Sequence, residues 1–145
     1  VMFLLFGHHP ISGESMYPTY HDGQHLVSIR PYLGELKQGD VVIAYSPNRY
    51  LLIKRVAACP GDTLVINTDG TVAVNGEPYT YGKGSSLDSN MAGMTRQEDG
   101  SYSITLEKGQ YYLLGDNHEI SADSREYGPF KRTSIWEKVL FVFGK

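Results

Sequence analysis

The sequence predicts an all-β chain of mostly antiparallel sheets, and three observations carry that expectation. Helical periodicity is scarce: apolar runs are short, alternate or are β-branched, and end at Gly, Pro, Asn or Asp. Sixteen glycines and eleven tyrosines accompany many Val, Ile and Thr residues, a composition of strands joined by frequent turns. Asp69-Gly70 separates two apolar runs and Asn75-Gly76 follows the second, both dipeptides of tight hairpin turns.

Taken in order, the opening Val1–Phe6 is uniformly apolar and well short of the roughly 20 residues that span a bilayer. It reads as a first strand or as the end of a preceding membrane anchor. Strands are then expected over Leu26–Arg30, Asp40–Tyr45, Leu51–Ala57, Thr63–Asn67, Thr71–Val74, Ser101–Leu106, Tyr111–Leu114 and Lys138–Phe143. Residues 79–100 are rich in Gly, Ser, Asp and Asn and read as a loop or a small excursion. Ser121–Arg125 or Lys131–Glu137 can form a short helical turn. Nothing divides the chain in two, so residues 1–145 are expected to form a single domain. About residues 63–112 would make a small inserted β region.

The length of 145 residues suffices to bury a core, and the 41% apolar fraction is that of a folded protein. Net charge is −3 with Lys and Arg scattered, which argues against a nucleic-acid surface. The lone Cys59 excludes an intramolecular disulfide and a multi-cysteine metal cluster, and reads as a small buried hydrophobe. His21 and His25 are four apart with Gly23 between them, so no helix aligns them for a metal, and they read as loop histidines.

Three segments carry chemistry. In Ser12-Gly13-Glu14-Ser15-Met16-Tyr17-Pro18-Thr19, Gly13 relieves crowding and Pro18 stiffens the chain, so Ser15 is either presented as a nucleophile or part of a polar turn. In Leu51–Ala57, Lys54 interrupts an apolar run and in strict alternation shares a face with Leu52 and Val56. A buried lysine loses proton affinity and can act as a base, while a slip of one residue would turn it to water. Gly115–Gly128 is dense in groups that bond their own backbone, with Asp123 and Arg125 able to pair.

Together and in this order, the segments resemble the type I signal peptidase family, in a Gram-positive-like short form. The patterns legible here are Ser-Gly-x-Ser-Met-x-Pro-Thr, Lys-Arg-Val-x-x-x-Pro-Gly-Asp and Gly-Asp-Asn-x-x-x-Ser-x-Asp-Ser-Arg-x-x-Gly, with Gly39-Asp40-Val41-Val42 between the first two. The resemblance implies a serine endopeptidase on the extracytoplasmic side of a cell membrane, with preprotein signal peptides and a lipid surface as partners. No nucleic acid, metal or other cofactor is implied. Ser15 would be the nucleophile and Lys54 the general base. Ser121 would orient the lysine, and Asp123 with Arg125 would brace the loop. Ser15 and Gly13 would be the oxyanion-hole positions. Relatives with a serine at the second position use its hydroxyl, and Gly13 leaves that donor to a backbone amide, to Ser12 or to water. His118 stands where the family commonly has Arg. Small residues, typically Ala, are implied one and three before the cut, with Met16 a candidate lining residue. No Asp or Glu should approach the Lys54 amine. The alternative is a relative of the same fold dedicated to pilus assembly, acting as a binding partner.

Overall fold

In the computed structural model, residues 5–144 except 86 and 88 are described. Val1–Leu4, part of the expected first strand or anchor, lie outside the described residues. Twelve strands follow in order: β1 Leu5–Pro10, β2 His25–Arg30, β3 Val41–Tyr45, β4 Leu51–Ala58, β5 Thr63–Ile66, β6 Val72–Val74, β7 Glu77–Pro78, β8 Thr95–Arg96, β9 Tyr102–Thr105, β10 Gln110–Leu114, β11 Phe130–Lys131 and β12 Ile135–Phe143. A single helical turn, α1 Ser124–Tyr127, follows β10, and Arg132–Ser134 form a 3-10 turn before β12. The all-β expectation holds, and every pairing between these strands is antiparallel.

The strands form a seven-stranded sheet in the order β1-β2-β12-β3-β4-β10-β11 and a five-stranded sheet in the order β7-β6-β5-β9-β8. The smaller sheet falls within residues 77–105 and 63–74, between β4 and β10 in sequence. Its Leu64, Ile66, Val72 and Val74 share a core with Ala57, Ala58, Tyr112 and Leu114 of the larger sheet. The β6–β7 turn is Asn75-Gly76, both with positive φ (52° and 81°), as a two-residue type I′ hairpin requires.

Alternation sets two faces on the larger sheet. Val42, Ala44, Val56 and Leu113 fill one core cluster, and Leu26, Val41, Ile43 and Val139 fill another with Ile11 and Met16. From Lys54 to Ala58 five successive residues of β4 are buried, because both faces of the strand are covered there. β10 pairs with β4 only from Arg55 to Ala58, so Leu51–Lys54 are laddered to β3 alone among the described residues. β1 is the outermost strand of the sheet, and Pro10, which lacks an N–H, ends it. The sheet curls enough that β1 and the start of β4, with three strands between them, line one cleft.

Candidate active site

The cleft encloses about 280 Å³. One wall is the chain from His9 through Gly13 to Ser15 and Met16, and the other is Leu51–Lys54 with Ile43. Two lengths of backbone with an edge unpaired among the described residues thus line a slot of mixed polarity, with a hydroxyl and an amine in its lining.

Ser15 sits in a turn just after β1. Tyr17 N–H donates to Glu14 O and Tyr20 N–H to Met16 O, which coils the segment. The loop after β10 holds it from outside: Asn117 N–H donates to Ser15 O at 2.9 Å, and Asn117 Nδ2 to Glu14 O. Met16 is buried in the cleft lining, and its sulfur accepts the Asp116 N–H. Gly13, at φ +85°, takes a left-handed conformation that suits glycine. Its N–H donates to Asp22 Oδ1 at 2.6 Å, so that amide already has an acceptor. The Ser15 N–H has no acceptor among the described residues, and Ser12 is exposed and lines the cleft.

Lys54 reaches in from β4, where it pairs opposite Val42. Only 3% of it is exposed, and its Nζ donates to Ser15 Oγ at 2.9 Å. Burial pushes its pKa down from the ordinary 10.5 to about 8; the negative charge of Asp123 opposes the shift and Arg125 adds to it. No described carboxylate forms an ion pair with it.

The two aspartates of the adjoining loop are committed to other partners. Asp116 accepts from Arg55 Nε at 2.9 Å and Nη2 at 2.7 Å, and from the Thr19 hydroxyl at 2.6 Å. Asp123 accepts from Arg125 Nε at 2.9 Å and Nη2 at 2.8 Å, and from the Gly115 N–H. Asp123 also caps α1 through the Arg125 N–H, while Arg125 Nη1 reaches His118 O. His118, buried, places Nε2 2.8 Å from Tyr81 O, so it ties the loop to the small sheet's connection.

Ser121 lies beside this site without a bond to Lys54. Its Oγ is buried and has no hydrogen-bond partner among the described residues. It packs against Gly115, where any Cβ would collide with Ser121 and with the Ser15 carbonyl. The glycine of Gly-Asp-Asn is what lets these two segments meet.

Sequence reasoning missed Thr19, Asp22 and the Arg55–Asp116 pair. It also missed His9 and Glu137, whose ring and carboxylate lie 2.9 Å apart. Glu137 had a usable signal: it alternates with the apolar Ile135 and Val139, the argument that singled out Lys54.

The family described as signal peptidase, peptidase S26, matches residues 1–144. The chain is similar to signal peptidase IB of Staphylococcus aureus (strain N315), 37% identical over 144 residues, which cover 92% of this chain and 75% of that protein. It is 34% identical over 133 residues to signal peptidase I T of Bacillus subtilis (strain 168), covering 86% of this chain and 66% of that one. The crystal structure of a signal peptidase I from Enterococcus faecalis V583 superposes with a TM-score of 0.54 at 26% identity, covering 76% of this chain and 100% of that chain.

Proposed function

The chain belongs to the signal peptidase family, peptidase S26, and from that premise we propose that it cuts signal peptides from exported preproteins with Ser15 as nucleophile and Lys54 as general base. Neutral Lys54 Nζ accepts the Ser15 hydroxyl proton as Oγ attacks the carbonyl before the cut. The Ser15 N–H donates to the developing oxyanion. The lysine ammonium then returns its proton to the leaving amine, and an ester to Ser15 remains. Lys54, neutral again, takes a proton from water as the water oxygen attacks the ester carbonyl. The ammonium then returns that proton to Ser15 Oγ as the acyl group leaves as the acid, which restores the free enzyme.

The observation that carries this reading is the 2.9 Å contact between Lys54 Nζ and Ser15 Oγ, made by a buried lysine whose pKa has fallen to about 8. An extended substrate fits between the open edges of β1 and Leu51–Lys54, adding a strand by main-chain hydrogen bonds. Asp123 and Arg125 hold the loop that clamps Ser15.

The chain works at a lipid surface on the extracytoplasmic side, through the outer face of the strands beside the cleft. Alternation along β1, β2 and β12 gives one face Phe6, His8 and Pro10 with Phe141 and Phe143, and all three phenylalanines are exposed. An exposed apolar patch of this kind suits lipid contact. No described helix is long and apolar enough to cross a membrane.

The test is cleavage of a signal-peptide substrate in the presence of lipid or detergent. The wild-type chain is expected to cut it and Ser15→Ala to leave it intact while keeping its melting temperature. Substantial turnover by the purified Ser15→Ala protein would refute the assignment of the nucleophile.

A further inference from the structure

The wall of the cleft that ends near Ser15 begins at His9, and His9 is bonded to a buried carboxylate that the mechanism above does not use. Glu137 lies on β12 opposite Ile43 and is 2% exposed. Its Oε1 accepts the Ser28 hydroxyl at 2.5 Å and stands 2.9 Å from His9 Nε2. These contacts join β12, β2 and β1, with Gly7 and His9 sharing the inner face with Leu26 and Ser28. A Cβ at Gly7 would collide with Ser28 Oγ and Glu137 Oε1, so the glycine makes room for the carboxylate.

A carboxylate in an apolar core costs free energy unless donors reach it. Here the ring of His9 is one of the two side-chain donors, which fixes its tautomer: Nε2 carries a proton towards Glu137, and Nδ1 is the remaining nitrogen. His9 is 22% exposed and lines the cleft, and Nδ1 has no partner among the described residues. A neutral ring presents Nδ1 as an acceptor, and a protonated ring presents it as a donor. A hydroxyl satisfies both.

We propose that His9, held in orientation by Glu137, is a specificity-determining residue that favours a hydroxyl side chain, Ser or Thr, three residues before the cut. The inference rests on the protease reading. Side chains of an extended substrate that point the same way are two residues, about 6.6 Å, apart. When the residue before the cut lies at Ser15, the one two places earlier extends along the wall past Ile11 towards His9. Apart from His9 itself, Ser12, Ser15 and Lys54, the side chains of the lining, Ile11, Ile43 and Leu51–Ile53 among them, are apolar and offer a hydroxyl no partner.

The experiment compares two signal-peptide substrates identical except for Thr or Val three residues before the cut, since these side chains share one shape. Wild-type kcat/KM is expected to favour Thr by roughly two- to tenfold, the worth of one net hydrogen bond. His9→Phe keeps an aromatic ring and removes both nitrogens, and should bring the Thr/Val ratio to one or below. Glu137→Gln, which loosens the ring's orientation, should lower the ratio part of the way. A wild-type ratio at or below one overturns the proposal whether or not the variants fold, and so does a preference that His9→Phe leaves intact. Failure of the wild type to cut a parent peptide with Ala at both positions would instead defeat the protease reading, and this inference with it.

Discussion

Lys54 and Arg55 are successive residues of β4, both buried, in opposite electrostatic surroundings. Arg55 meets Asp116 in a two-point ion pair and lies 4.6 Å from the centroid of the Tyr81 ring. Desolvation pulls its pKa down, but the hydrogen bonds and charge of Asp116 more than restore it. Lys54 meets a hydroxyl and pairs with no described carboxylate, so desolvation prevails and its pKa falls to about 8. Burial alone therefore does not decide whether a cation keeps its proton. The presence or absence of a paired carboxylate does, and the pleat of one strand delivers the two residues to the two outcomes.

The largest effect is expected from removing the unpaired member. Lys54→Met should lower cleavage by roughly a thousandfold or more, since a nucleophile and its base act as a unit. It should also raise stability at pH 7, because the fall in pKa from 10.5 to about 8 corresponds to roughly 3 kcal/mol against the folded ammonium. The unfolded chain holds this proton more tightly, so wild-type stability should climb between pH 8 and 10.5 and that climb should be missing in Lys54→Met. Denaturant melts across that pH window check both signs, and an unchanged or lowered stability at pH 7 would break the comparison.

Breaking the paired member should cost stability instead. Asp116→Ala leaves the Arg55 guanidinium buried without its carboxylate, at a cost of roughly 3 kcal/mol. The same change removes a negative charge that raises the Lys54 pKa, so the ascending limb of the rate profile should move to lower pH. A limb that moves up would contradict the account.

The smallest effect is assigned to Ser121. Its buried, unpartnered hydroxyl contributes little to the fold, so Ser121→Ala should change stability by no more than about 1 kcal/mol. The family resemblance implies that Ser121 holds Lys54 in line during turnover, a role for which its loss should lower kcat about tenfold. An unchanged kcat would remove Ser121 from the mechanism.

Much of this was legible beforehand, because alternation and turn chemistry are local. The eight expected strands coincide with observed ones to within a few residues, and Asn75-Gly76 makes the hairpin its residues demand. The shortfalls have physical causes. β1 runs on through His8-His9-Pro10, where polar side chains hide a strand that continues at the sheet's edge. β12 starts at Ile135 rather than Lys138, because the charged Glu137 is satisfied by Ser28 and His9, residues more than a hundred positions away. The strands β7, β8 and β11 are two residues each, too short to leave a period. Ser15 and Lys54 stood out by motif and by an interrupted apolar run. That Gly13 spends its N–H on Asp22 is a matter of loop closure, which spacing does not encode.

The central claim is that Lys54 acts as a base because its surroundings, and not a counter-ion, discharge it. The dependence of kcat/KM on pH for a signal-peptide substrate tests it most directly, since that profile reports the free enzyme's essential groups. The account predicts an ascending limb with an apparent pKa near 8. A profile whose only ascending limb lies near 10.5, the ordinary lysine value, would contradict it.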